Sequence, residues 1–163
     1  MSPKSNPTRR ALIGLAAVAG IAGLGALPHL LAAATRTLVT VWKTPNCGCC
    51  KEWVTHLQAN GFEVVTHDVK ETASKREALG LPLKYGSCHT AVVNGYVLEG
   101  HVPAKDIQRL LRDKPTALGL AVPGMPVGSP GMEMGGATDA YDVMLVLKDG
   151  TARVYQSYAA KSA

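Results

Sequence analysis

The chain has 163 residues, of which 18% are charged and 47% are hydrophobic, and its formal net charge at pH 7 is +5. This composition excludes a disordered or highly charged protein, and the length favours one cored domain. Residues 1–34 contain Lys4, Arg9 and Arg10 but no acidic residue, so the rest of the chain carries 14 basic and 12 acidic residues, a net charge of +2. Most of the excess positive charge lies in the N-terminal segment, so the net charge gives no argument for a nucleic-acid partner.

An export signal is predicted at residues 1–34. The paired Arg9 and Arg10 precede an apolar run over residues 11–27, and Ala32–Ala34 supply small residues for cleavage. The arginine pair resembles a twin-arginine signal, which implies export of a protein that is already folded or loaded with its cofactor. We expect this segment to be cleaved. The alternative is a retained membrane anchor, although an apolar run of about 17 residues is at the short limit for crossing a bilayer.

The remaining chain, residues 35–163, predicts a single domain of alternating strands and helices. Residues 36–42 are β-branched and apolar, as in a strand. The next apolar positions, Cys50, Trp53 and Leu57, are spaced to lie on one face of a helix. The elements that follow are a strand at 62–69, a helix at 71–79, two short strands within 89–100 that turn at Asn94-Gly95, and a helix that begins near Pro103.

The last third of the chain has a different composition. Residues 115–138 contain six glycines and four prolines, which predicts a long ordered loop rich in Gly, Pro and Met. A β-hairpin is predicted at 141–158, with its turn at Asp149-Gly150. The complete order is β-α-β-α-β-β-α, then the loop and the hairpin. Because the first strand enters a helix through a cysteine motif, we predict an α/β fold with a thioredoxin-like core.

Three of the four cysteines, Cys47, Cys49 and Cys50, lie within four residues at the first strand-to-helix junction. Cys47 and Cys50 form the C-x-x-C of a thioredoxin-type redox site, where a helix N-terminus stabilises thiolate. Cys49 does not suit dithiol exchange, because a third thiol can attack a mixed disulfide. Adjacent cysteines form only a strained disulfide, and structural zinc sites usually space their cysteines further apart. The cluster therefore favours soft Cu(I), with zinc as the less favoured metal.

Two more candidate ligands, Cys88 and His89, precede the third predicted strand. Thioredoxin-like proteins usually carry a cis-proline at this point, beside the C-x-x-C. This chain has Cys88 and His89 there and no proline. Because Cys and His are good metal ligands, the replacement favours a metal site over a redox site. His101 is predicted to be a further ligand or a group that tunes the site; the alternative is a hydrogen bond within a turn. His56 is expected to be an exposed helix residue.

The predicted loop adds three thioether side chains. A thioether binds Cu(I) without losing a proton, which suits an oxidising compartment. We expect these residues to contact or capture the metal, and the alternative is that they fill gaps in a core. They are Met125, Met132 and Met134.

Three stretches of the sequence together resemble the CopG-type copper-resistance proteins of bacteria, a family formerly known only as a domain of unknown function. They are "TPNCGCCKEW", "SCHTAVVNGYVLEGHVPAKDIQRLL" and "GLAVPGMPVGSPGME", and the similarity extends over residues 38–158. The resemblance implies a thioredoxin-like fold, export to the periplasm, copper bound by the cysteine cluster, and a place among copper efflux and detoxification components. It leaves open whether the protein is a carrier, a buffer or a redox protein that acts on copper.

The resulting hypothesis is an exported copper-binding protein, and we favour this over an enzyme. Sulfur ligands come from Cys47, Cys49, Cys50 and Cys88, and they hold one or several Cu(I) ions. Expected partners are copper ions and other periplasmic copper-handling proteins, with membrane contact only through an uncleaved signal. Two alternatives stay open: a thiol-disulfide oxidoreductase that uses Cys47 and Cys50, and a small domain stabilised by two disulfides.

Overall fold

The computed structural model describes residues 36–162, which contain seven strands, three α-helices and one 3₁₀ helix. In chain order they are β1 (Thr37–Lys43), α1 (Gly48–Ala59), β2 (Phe62–Asp68), α2 (Ala73–Ala78), the 3₁₀ helix (Leu83–Tyr85), β3 (His89–Val93), β4 (Tyr96–Glu99), α3 (Ala104–Asp113), β5 (Gly119–Ala121), β6 (Tyr141–Val146) and β7 (Ala152–Tyr158). The α/β class and the predicted order from β1 to α3 are confirmed.

All seven strands form one sheet in the order β2-β1-β3-β4-β5-β6-β7. β1 runs parallel to β2 and antiparallel to β3, and β3 runs antiparallel to β4. The first four strands therefore form a mixed sheet in which β1 lies between β2 and β3. Lys43, at the end of β1, pairs with His89 at the start of β3. The register therefore brings the residues just before β3 beside the start of α1.

The predicted loop at 115–138 contains a strand that the sequence did not reveal, so the prediction of a continuous loop is wrong there. β5 pairs parallel with β4 and antiparallel with β6, and it joins the C-terminal hairpin to the main sheet. Three residues are too few to show the alternation typical of a strand. Gly119 is required because a Cβ at this position would overlap the backbone carbonyl of Val97. The hairpin itself, β6 and β7, is confirmed.

The main core lies between the sheet and the helices α1 and α3. Its fully buried side chains include Val39 and Val41 from β1, Trp53 from α1 and Ile107 from α3. The period of two in β1 and the helical spacing in α1 turn these apolar residues towards one another. A smaller apolar cluster, which includes Tyr85, covers part of the opposite face of the sheet. The cysteine motif is therefore held on a helix that is anchored in the main core.

The predicted export signal at residues 1–34 lies outside the described residues. Its cleavage, or its retention as a membrane anchor, stays a prediction. Within residues 36–162, no helix is long and apolar enough to cross a membrane.

Candidate metal centre

The first turn of α1 presents the cysteine motif. Cys47 is the N-cap residue in an extended conformation, and its sulfur accepts a hydrogen bond from the backbone N–H of Cys50 at 3.3 Å. Cys50 is fully buried, whereas Cys49 is half-buried. The free N–H groups of a helix N-terminus stabilise negative charge on sulfur. Helix formation therefore prepares this turn to hold thiolates.

In the structure Cys47 and Cys50 are joined by a disulfide, and their Cα atoms are 5.3 Å apart, which is an ordinary separation for such a bond. Cys49 and Cys88 are free. This pairing agrees with the expectation that a disulfide between the adjacent Cys49 and Cys50 would be strained. The alternative of a small domain stabilised by disulfides requires two of them. Among residues 36–162 the structure contains one, between Cys47 and Cys50.

Cys88 completes a cluster of four sulfur atoms. Its Sγ lies 3.6 Å from Cys50 Sγ and 3.8 Å from Cys49 Sγ, and Cys49 Sγ lies 3.6 Å from Cys47 Sγ. All four sulfur atoms lie within 4.8 Å of one another. Residues almost forty positions apart in the sequence thus meet because β3 begins beside the end of β1.

A second group of possible ligands shares Cys88 with the first. Cys88 Sγ lies 3.3 Å from His89 Nδ1 and 3.1 Å from His101 Nε2. Both histidines are fully buried, and the ring centroids of His89 and Trp53 are 4.3 Å apart. Once the Cys47–Cys50 disulfide is reduced, the two groups together offer four sulfur and two nitrogen donors, with Cys88 as the member common to both.

Hydrogen bonding and burial prepare the histidines as neutral ligands. His101 Nδ1–H donates to the carbonyl oxygen of Pro130 at 2.8 Å, which leaves the lone pair of Nε2 directed at Cys88. Burial lowers the pKa of His101, and it lowers the pKa of His89 to about 3, with a smaller contribution from neighbouring His101. His89 Nε2 is buried and has no hydrogen-bond partner among residues 36–162.

Cys88 holds its proton more firmly than an ordinary thiol. Burial, followed by the neighbouring Cys49, raises the pKa of Cys88 to about 12. A metal ion must displace this proton, because only the thiolate is a strong ligand. Metal binding at Cys88 should therefore release a proton and weaken as the pH falls.

The Gly/Pro/Met loop approaches the neighbourhood of the cluster at two places. At one place, Gly124 N–H donates to Gly86 O at 3.0 Å, just before Cys88 in the chain. At the other, a Cβ on Gly131 would stand 2.7 Å from both Cys49 O and Trp53 N. Gly131 also has a φ of +85°, so this close approach to α1 requires glycine.

The predicted methionines lie on this loop with different exposures. Met125 and Met134 are 53% and 76% exposed, which excludes the alternative that they fill a core, and Met132 is partly buried. The structure thus places Met125 and Met134 at the surface of this loop. Their contact with metal stays a prediction.

Two features of the residues around the cluster were not predicted correctly from the sequence. The prediction of an exposed His56 is wrong: it is half-buried, and its Nε2 accepts a hydrogen bond from Ala104 N–H, at the start of α3, at 3.0 Å. Burial lowers the pKa of His56. The sequence also gave no sign that Arg76 and Glu99 form a buried ion pair at 2.7 Å, next to the segment that carries Cys88. Both contacts depend on side chains that are distant in the sequence.

Comparison with known proteins now identifies the family. A family model described as "Protein of unknown function, DUF411" matches residues 85–132. Two solved structures named copper resistance protein CopG, Form 1 and Form 2, are each 48% identical to this chain, with a TM-score of 0.72. Each comparison covers 76% of this chain and 98% of the other. The chain belongs to the CopG family. No curated protein matched the sequence.

Membership of the CopG family confirms the resemblance stated from the three sequence motifs. The cysteine and histidine cluster fits copper binding, because thiolate sulfur and neutral imidazole are both suitable copper ligands.

Proposed function

We propose that this CopG-family protein is an exported copper-binding protein of copper resistance, and that it holds more than one Cu(I) ion per chain. The observation that carries the proposal is the pair of donor groups that share Cys88: four sulfur atoms on one side, and one sulfur with His89 and His101 on the other. Six donors around a shared sulfur exceed the four that one tetrahedral ion accepts.

The kind of donor favours Cu(I) over zinc. Soft thiolates select Cu(I) among the abundant metals, and one thiolate can bridge two such ions. Cys49 and Cys50 are adjacent, so their sulfur atoms suit two neighbouring ions better than the corners of one tetrahedron. Zinc stays the less favoured alternative, held by four of the same residues.

The loop methionines supply a capture surface in this proposal. The thioethers of this loop, two of them exposed, can take Cu(I) from solution or from a donor protein before thiolates receive it, because they need no proton release. The residues are Met125, Met132 and Met134. Attachment of the loop at Gly86 and against α1 keeps this surface next to the cysteines.

Export to the periplasm is part of the proposal and is supported by the signal-like residues 1–34. Partners are copper ions and other periplasmic copper-handling proteins, and contact with a membrane would occur only through an uncleaved signal. The export signal at residues 1–34 and the single domain at residues 35–163 are proposed from the sequence alone.

Anaerobic titration of the fully reduced protein with Cu(I) tests the proposal. We expect binding to saturate above one equivalent per chain. A chain with all four cysteines changed to Ser is the control and should lose this capacity. Saturation at one equivalent, together with a strong preference for zinc, would contradict the proposal.

The Cys47–Cys50 disulfide favours a second candidate, a thiol-disulfide oxidoreductase or a redox protein that acts on copper. Oxidation of this dithiol to the disulfide releases two electrons, which could reduce two Cu(II) ions to Cu(I). Cys49 discriminates between the candidates, because copper storage uses its sulfur whereas exchange through Cys47 and Cys50 does not. Redox turnover that survives Cys49→Ser, with copper capacity unchanged, would favour the second candidate.

A further inference from the structure

A buried ion pair holds the backbone immediately before Cys88. Glu99 is fully buried at the end of β4, and its Oε1 accepts hydrogen bonds from Arg76 Nε at 2.8 Å and from the backbone N–H of Ser87 at 2.7 Å. Arg76 Nη2 donates in turn to the carbonyl oxygen of Ser87 at 2.8 Å. Both backbone polar groups of Ser87 are therefore bound by the same ion pair.

The second oxygen of Glu99 holds the other side of the cysteine. Oε2 accepts a hydrogen bond from Thr90 Oγ1 at 2.6 Å, and Thr90 is fully buried. One carboxylate thus binds residues on both sides of Cys88 and His89. It fixes the direction in which these two side chains leave the backbone.

Two glycines make room for this arrangement. A Cβ on Gly86 would lie 3.1 Å from Nη1 of Arg76, and a Cβ on Gly100 would lie 2.6 Å from the Cβ of Ser87. Gly100 also has a φ of +69°, which disfavours any larger residue. The backbone is therefore built for a close approach between the ion pair and Ser87.

Stability alone does not explain such a pair. The cost of removing two charges from water is large, and well-packed apolar residues often replace a buried ion pair without loss of stability. Residues that orient metal ligands, by contrast, typically change metal affinity when they are altered. We propose that Arg76 and Glu99 are positioning residues that hold the Ser87–Thr90 segment so that Cys88 and His89 face the sulfur cluster. This inference rests on the proposed copper site.

The test separates positioning from stability by replacing both charges at once. Arg76→Leu with Glu99→Met removes the ion pair without leaving either charge unpaired. We expect the metal-free variant to fold, and its affinity for Cu(I), measured by chelator competition, to fall by about 10- to 100-fold. In a Cys88→Ser background the same double change should lower affinity by a clearly smaller factor than in the parent, because only His89 is left for the pair to position.

Asp106→Asn is the matched control. Asp106 is also a buried carboxylate, and it accepts a hydrogen bond from Tyr158 at 2.6 Å but has no contact with the cysteine segment among its hydrogen bonds. This variant should lose stability and keep its copper affinity. If the Arg76/Glu99 double variant keeps the parent affinity within about twofold, or if its loss persists undiminished in the Cys88→Ser background, the inference is wrong.

A readout without metal keeps the inference separate from the proposed function and from misfolding. In a chain whose other three cysteines are Ser, Cys88 is the only thiol, and its rate of alkylation reports how often its half-buried position opens. Arg76→Leu with Glu99→Met, which leaves neither charge unpaired, should raise this rate by about tenfold if the ion pair positions the segment, whereas Asp106→Asn should leave it unchanged. An unchanged rate would overturn the inference even if the parent binds copper, and a raised rate would support it even if the parent binds none.

Discussion

Cys88→Ser is the substitution with the largest predicted effect on copper binding, because Cys88 belongs to both donor groups. Its sulfur lies within 3.6 Å of Cys50 Sγ and within 3.3 Å of a nitrogen from each of His89 and His101. Its loss reduces the sulfur group from four donors to three and the mixed group from three donors to two. Serine keeps a similar shape but offers a hard oxygen, which Cu(I) binds poorly.

The size of the effect can be bounded from below. Changes in residues that only orient a ligand cost about 10- to 100-fold in metal affinity. Removal of a shared ligand should cost at least about 100-fold, or ~2.8 kcal/mol. The loss should be at least as great as that caused by Cys50→Ser, which removes a member of one group only. Stability without copper should change by less than about 1 kcal/mol, because Cys88 is half-buried.

The assay is anaerobic competition with a Cu(I) chelator at pH 7, with reductant present and with the thermal midpoint of the metal-free protein recorded for each variant. Cys47→Ser is the comparison, because it leaves Cys88, His89 and His101 in place and should still bind copper at that group. If Cys88→Ser keeps the parent stoichiometry and affinity, the cluster does not act as a shared site and the reasoning fails.

Three further predictions concern the neighbourhood of the cluster. Changing the loop methionines to Leu should leave the capacity of the cysteine site intact but slow copper uptake or lower affinity modestly, most visibly near pH 5, where thiolates weaken. If the parent and the triple variant give the same chelator-competition curve at pH 5 and also at pH 7, the methionines have no role in capture. The residues to change are Met125, Met132 and Met134. Reduction of insulin should be negligible beside a true thioredoxin, and robust activity that survives Cys49→Ser but not Cys47→Ser would instead support the oxidoreductase. Burial holds the pKa of His56 below its ordinary value of 6.5, so the unfolded chain binds this proton more readily and His56 contributes stability that is lost as the pH falls through its folded-state pKa. His56→Gln, which can still accept from Ala104, should show a smaller drop in thermal midpoint between pH 7 and pH 5 than the parent, and an equal drop would contradict this.

Local patterns in the sequence predicted most of the fold. The strand-to-helix junction, the order of elements from β1 to α3 and the final hairpin each depend on periodicity and turn residues within a short window. β5 could not be predicted in this way, because three residues at Gly119–Ala121 form a strand only when β4 and β6 lie on either side. Its stability comes from the sheet and not from local preference.

The candidate site divides in the same way. The cysteine cluster and the Cys88-His89 pair are local signals, and the predicted fold was enough to bring them together. The Arg76–Glu99 pair joins residues 23 positions apart, and the contact between His56 and Ala104 spans 48 positions. Arg76 and Glu99 are residue types that usually lie at the surface, and only tertiary packing makes them part of the site's support.

Metal analysis of the protein purified anaerobically from the periplasm, with copper supplied during growth, tests the central claim most directly. The account predicts that copper is the dominant metal, at more than one ion per chain, and that the recovered chain is exported and reduced at its cysteines. Recovery of a single zinc ion per chain, or of a metal-free chain that carries the Cys47–Cys50 disulfide despite abundant copper, would contradict it.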